Sequence, residues 1–168
     1  MFIYSTLQLT ESTTLPINLD VNDLAVSRTV KEVLDKILPY VDEFYTDLKI
    51  FDNDWHKKYT NVDNQVIKDN LKFLLQTDKK DCVIVRTPLI PTLTATKENI
   101  EQISRFISSC YDKVKYELLN YNPLAKAKYS YLDKKYYFTE NPKLYSNTQL
   151  QFFYDIAKQN GIKILIIE

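Results

Sequence analysis

The chain is 168 residues long, carries 22 basic against 22 acidic side chains, and contains two cysteines and one glycine, Gly161. That length suits one domain with its own core, 45% apolar content argues against disorder, and zero net charge removes the electrostatic case for nucleic acid or membrane partners. One glycine excludes a Walker loop or any other glycine-rich phosphate cradle, residues 1–20 do not read as a secretory signal, and no apolar run approaches the roughly 20 residues of a bilayer span, so a cytoplasmic protein is expected.

In chain order, residues 1–15 come first and fit poorly. Phe2 to Leu7 could pair as a strand, but the connection to Ile17 is too short for a helical crossover, so an arm or extra strand is expected. Residues 17–21 read as a strand. Val30, Val33, Leu34, Ile37 and Leu38 then recur with the spacing of an amphipathic helix, which Pro39 should end. Residues 44–50 read as a second strand, and Asp63 or Asn64 should cap a helix bearing Ile67, Leu71, Leu74 and Leu75. Cys82-Val83-Ile84-Val85 is short, apolar and β-branched, as a buried strand should be.

Thr96 should cap a helix with Ile100, Ile103, Ile107 and Cys110 on one face, followed by a strand over residues 114–119. A tyrosine-rich irregular stretch, 120–146, precedes a helix carrying Leu150, Phe153 and Ala157, which Asn160-Gly161 should end. Residues 162–167 should close the chain as a buried strand. Strands alternating with helices predict a parallel sheet with right-handed crossovers, in one α/β domain over residues 16–168. Its strands are expected to be apolar on both faces.

Against that background, a few polar residues stand out. Asp47 and Lys49 lie two apart in a strand and project to one face, while Phe44, Leu48 and Ile50 take the other. If the shared face lines a parallel barrel, the two charges must pair or bind something polar. The alternative is a neutralised pair on an edge strand. Asp20 ends its strand in a similar way, at the end where ligands bind in α/β folds. Arg86 follows an apolar strand and precedes a rigid Pro-x-x-Pro turn, where its planar fork could hold a carboxylate bidentately or form a structural ion pair. Only three of the 22 basic residues are Arg, so its presence there is notable.

His56, the one histidine, reads as a surface or helix-start residue and not as a metal ligand. Cys82 and Cys110 read as small core residues. The lysines and aromatics between 120 and 138 read as a solvated loop and not as a nucleic-acid surface.

Several segments, taken in order, resemble one family. They are Leu38-Pro39-Tyr40-Val41-Asp42; Asp47-Leu48-Lys49; His56-Lys57-Lys58-Tyr59-Thr60-Asn61-Val62-Asp63-Asn64 with Ile67; Val85-Arg86-Thr87-Pro88-Leu89-Ile90-Pro91; and the stretch from Glu117 through Asn122-Pro123-Leu124-Ala125 to Tyr129. Together they are similar to the glycyl-radical-enzyme activating enzymes, such as the pyruvate formate-lyase activating enzyme, from about residue 17 onward. The resemblance implies an incomplete parallel β/α barrel of the radical S-adenosylmethionine type, of which residues 16–168 would be the C-terminal part.

It also implies an oxidoreductase chemistry of anaerobic metabolism. A [4Fe–4S] cluster and S-adenosylmethionine generate a deoxyadenosyl radical, which takes a hydrogen from a glycine of a partner glycyl radical enzyme. Asp47 and Lys49 would lie beside the S-adenosylmethionine, with Arg86 helping to hold it and Asp20 at an adjacent strand end. Asn122 stands where the family usually has a histidine that contacts the cofactor. Ala125 and Asn61 stand where glycines are usual. The C-x3-C-x2-C cluster motif and the glycine-rich cofactor strand are absent, so this chain alone is expected to bind no cluster.

Two readings follow. In the first, the chain is the C-terminal portion of an activating enzyme, inactive alone, whose partners are a glycyl radical enzyme and the missing N-terminal part of the barrel. In the second it is a degenerate, cluster-free α/β module that binds a protein. Asp47, Lys49 and Arg86 favour the first; Asn122 and Asn61 favour the second.

Overall fold

A computed structural model of the chain describes residues 18–20, 36, 38–129, 131 and 136–167. The elements are β1 (Asn18–Asp20), β2 (Glu43–Asp47), α1 (Asn53–Thr60), α2 (Gln65–Leu74), β3 (Val83–Pro88), α3 (Lys97–Cys110), β4 (Lys115–Leu119), α4 (Ala125–Tyr129), α5 (Asn147–Gln159) and β5 (Ile164–Ile166). The five strands form one sheet in chain order, every neighbour parallel. An unbroken run of parallel neighbours with right-handed connections puts all the crossover helices on one face. The sheet is therefore an arc of a β/α barrel, as expected.

The helix-covered face carries Phe44 of β2, Val83, Val85 and Thr87 of β3, and Tyr116 and Leu118 of β4, all buried. Leu71 and Leu74 of α2, Ile100, Ile103 and Ile107 of α3, and Phe153 and Ala157 of α5 join the same core cluster. The expectation of strands apolar on both faces is corrected here. On the opposite face Tyr45, Asp47, Arg86, Lys115 and Glu117 are half-buried, and among the described residues of β2, β3 and β4 only Ile84 is a buried apolar residue there. Alternation along β2 and β4 follows period two, so one face can be apolar while the other is polar.

Helix ends follow their local chemistry. Asp52 accepts the Trp55 N–H at the start of α1, Thr96 accepts the Asn99 N–H at the start of α3, and Ser146 with Gln149 forms a capping box on α5. At α2 the N-cap position is Asn64, but Asp63 supplies the oxygen, accepting the Gln65 N–H at 2.7 Å. That bond, with those from Lys57 and Asn53, holds the Asp63 carboxyl down to about 2. Gly161 ends α5 at φ +100°, and a Cβ there would lie 2.7 Å from Ser108 Oγ.

Four other expectations shift. The second strand ends at Asp47, and residues 48–50 leave it as a loop; Cys82 belongs to a 3-10 turn ahead of β3. β5 is short and lies at the sheet edge, with Ile164 exposed, so it is not a buried strand. α1 has no counterpart in the sequence reading, because its eight residues hold no apolar stripe and bury only His56. The arm at 1–15 and most of the predicted helix around Val30–Ile37 lie outside the described residues; Leu38–Tyr40 forms a 3-10 turn through Pro39.

Candidate functional site

Parallel register aligns three charged residues in one row across the middle of the sheet: Asp47 of β2 pairs with Arg86 of β3, which pairs with Glu117 of β4. All three are half-buried on the face opposite α2, α3 and α5, whose residues join the core cluster. Arg86 Nε donates to Asp47 Oδ1 at 2.9 Å, and Lys49 Nζ stands 3.4 Å from Asp47 Oδ2. Side-chain exposures of 14% for Asp47, 22% for Arg86 and 30% for Lys49 leave the cluster partly wet and open to a ligand. β2 lies between β1 and β3, so Asp47 is not on an edge strand.

Tyr45 extends the cluster toward the other end of the strand. Its ring lies under the Arg86 guanidinium, 4.9 Å from ring centroid to Cζ, a cation–π contact that orients the fork. Its hydroxyl donates to Glu43 Oε2 at 2.8 Å. That bond, with burial, raises the phenol above its ordinary value, so it stays a donor. Two cations and two carboxylates on one half-buried surface can bind a zwitterion: guanidinium and ammonium for a carboxylate, carboxylates for an ammonium or hydroxyls.

Of the residues singled out by sequence, Asp47, Lys49 and Arg86 are brought together. Asp20 ends β1 in register with Tyr45, one row below Asp47. Asn122 lies beyond the end of β4, on the same rim of the sheet. It is exposed, and its Oδ1 accepts the Leu124 N–H at 3.0 Å, shaping the turn into α4. Tyr45 and Glu117 were missed. Their signal is the alternation itself, since Tyr45 shares the phase of Asp47 and Glu117 interrupts an apolar β4.

His56, expected at the surface or at a helix start, stands near the start of α1 but is not exposed. It is buried on α1, where Nδ1 donates to the Val62 carbonyl at 3.0 Å. Burial lowers its pKa, so the neutral ring is favoured. Cys82 and Cys110 pack half-buried against the core. Both lie where β3 begins and α3 ends, at the rim opposite the charged row. Burial pushes the Cys110 thiol up, and no group of three or more His, Cys, Asp or Glu among the described residues could hold a metal. Two separated thiols do not fit an iron–sulfur cluster, which needs a converging set of thiolates.

Comparison with known proteins gives this geometry a family. The chain is 34% identical over 133 residues to the indoleacetate decarboxylase activating enzyme of Tractidigestivibacter scatoligenes, covering 79% of this chain and 41% of that protein. Against the 4-hydroxyphenylacetate decarboxylase activating enzyme of Clostridioides difficile it is 30% identical over 131 residues, 78% of this chain and 41% of the relative. The chain is a partial homologue of the glycyl-radical-enzyme activating enzymes. The isethionate sulfite-lyase activating enzyme of Oleidesulfovibrio alaskensis matches at 34% over 102 residues, 61% of this chain and 32% of that protein. The chain thus matches 32–41% of the length of these relatives. No family model matches. Among solved structures, a domain of pyruvate-formate lyase-activating enzyme from Bacteroides vulgatus superposes with a TM-score of 0.64 at 20% identity, covering 90% of this chain and 80% of that one, which supports the fold. No helix among the described residues is long and apolar enough to cross a membrane.

Proposed function

We propose that this chain is the C-terminal portion of a radical S-adenosylmethionine activating enzyme, and that the Asp47–Arg86–Glu117 row with Lys49 forms part of its S-adenosylmethionine-binding wall. The observation that carries this is the placement of three charged side chains in register on the face of the parallel sheet opposite the core helices, with Lys49 beside Asp47 in the loop that leaves β2. Lys49 and Arg86 suit the carboxylate of the methionyl group, while Asp47 and Glu117 suit its ammonium or the ribose hydroxyls. In such enzymes S-adenosylmethionine is the radical source. The glycyl radical enzyme and the N-terminal part of the barrel are the partners this reading requires. Asp20, which ends β1, and Asn122, beyond the end of β4, are the further residues this reading assigns to the wall.

The thiols of this chain do not fit the [4Fe–4S] cluster, so this reading assigns the cluster to another part of the enzyme. Titration calorimetry with S-adenosylhomocysteine tests the reading. Binding that weakens at least about tenfold in Arg86→Lys, which keeps the charge but not the fork, supports it. A wild-type chain that binds nothing, or cleavage of S-adenosylmethionine by this chain alone, overturns it. The turn-shaping bond of Asn122 favours the second reading, a degenerate protein-binding module, for which no nucleoside binding is expected.

A further inference from the structure

Between β2 and α1 the chain runs without regular structure, yet four successive carbonyls are each held by a side chain from elsewhere. Thr87 Oγ1 of β3 donates to Leu48 O at 2.7 Å, and Asn99 Nδ2 of α3 donates to Lys49 O at 2.8 Å. Asn64 Nδ2, at the head of α2, donates to Ile50 O and Phe51 O, both at 2.9 Å. Thr87 and Asn64 are fully buried and Asn99 is 7% exposed. Tyr116 OH donates to Thr87 Oγ1 at 2.9 Å, and burial keeps that phenol protonated. Buried backbone groups must be paired, and here the pairing converts a loop into a fixed segment.

Asn99 makes the most informative grip. Besides the Lys49 carbonyl, its Nδ2 donates to Thr94 O at 2.9 Å, and its Oδ1 accepts the Phe51 N–H at 2.8 Å. One amide therefore brackets residues 49–51 and ties them to the loop that follows β3. Lys49 has a long, rotamer-rich side chain, so its ammonium can be fixed beside Asp47 only if its backbone is fixed first.

We propose that Asn99 is a positioning residue, which sets the Lys49 backbone and thereby the ammonium at the charged row. This rests on the binding reading above. Asn99 touches no ligand in this arrangement and acts through the segment it clamps. A helix residue on the β3–α3 crossover thus controls the geometry of a cation on β2's loop.

The test pairs S-adenosylhomocysteine affinity with hydrogen exchange of the Phe51 amide, read by NMR on the 168-residue chain. Asn99→Ala should weaken affinity and speed Phe51 exchange, each by at least about tenfold, as the loss of several buried hydrogen bonds implies. Asn99→Asp keeps the Phe51 acceptor but sets a carboxylate against two carbonyls. It should lose affinity while Phe51 stays protected, and it serves if the alanine variant does not fold. Ile107→Val, a methyl deletion on the buried face of the same helix, should change neither readout more than about twofold. Unchanged affinity and exchange in the Asn99 variants, or equal loosening in Ile107→Val, overturn the proposal. If the wild-type chain binds no S-adenosylhomocysteine, the binding reading fails by itself, and the clamp stands or falls on Phe51 exchange in Asn99→Ala.

Discussion

Replacing Asp47 by asparagine keeps its shape and removes one charge where two cations converge. In the folded chain the carboxylate accepts from Arg86 Nε at 2.9 Å and faces Lys49 Nζ at 3.4 Å, with 14% of the side chain exposed. Removing one member of a fully buried pair costs about 3–5 kcal/mol, because its partner stays charged and out of water. Fully exposed pairs contribute only about 0–1 kcal/mol. Asp47 lies between these limits, and the amide oxygen of asparagine can still accept from Arg86. A loss of about 1–2 kcal/mol is expected, which lowers Tm by about 3–6 °C in a chain of this size. Thermal unfolding of the wild type, Asp47→Asn, Arg86→Gln and the double variant closes a cycle, and its coupling should be at least about 0.5 kcal/mol. Zero coupling, with a Tm change under about 1 °C in Asp47→Asn, would mean that the carboxylate is effectively solvated and does not hold Arg86.

Three further outcomes are expected. Burial holds His56 below its ordinary value of 6.5, so the unfolded chain protonates first; the stabilisation by the neutral ring is complete above pH 6.5 and is lost as pH falls below it. Melting curves between about pH 8 and pH 5 should therefore slope less for His56→Asn than for the wild type, and parallel slopes would refute the assignment. Gly161→Ala should cost more than about 1 kcal/mol in urea unfolding, and Ser108→Ala should recover only part of it, since the φ of +100° remains. Asn61, at φ 62° after α1, should lose about 1 kcal/mol on mutation to alanine and nothing on mutation to glycine; equal losses would argue that the side chain matters and not the backbone.

That last position shows why the sequence could be read as far as it was. The chain turns left-handed at Asn61, and asparagine is, after glycine, the residue type that best tolerates that turn. β3 is legible in Cys82-Val83-Ile84-Val85 because a central parallel strand is apolar at consecutive positions. β2 and β4 are half polar, and there the expectation of two apolar faces failed: a barrel arc buries its inner face with ligand, neighbouring strands or water, and composition does not distinguish these. α1 was invisible because its eight residues are held by an Asp52 cap and one buried histidine in place of an apolar stripe. Asp47 could be found from strand phase and Arg86 from its place after an apolar strand, whereas Lys49 meets Asp47 from the loop beyond β2 and not from the strand position expected. Glu117 needed the register, and the amides of Asn64 and Asn99 needed the tertiary structure, since each acts on backbone more than ten residues away.

The charged row also bears on which functional reading the fold favours. β3 runs Val83, Ile84, Val85 through the centre of the sheet with all three side chains buried, and then presents Arg86 between Asp47 and Glu117. Stability alone does not call for this, because replacing a buried ion pair by apolar residues is often neutral or stabilising. A degenerate module with nothing to bind on this face would be equally well served by apolar residues at 47, 86 and 117. The row becomes intelligible if a polar ligand shares it, exchanging its own charges for the pairs that Asp47 now makes with Arg86 and Lys49. Lys49 makes the sharper case. Its ammonium lies at the longer distance from Asp47, and its backbone is the segment that Asn99 clamps. On the proposed reading, a cation held in place at a loose ion pair would exchange that partner for an incoming carboxylate, which a purely structural salt bridge has no reason to permit.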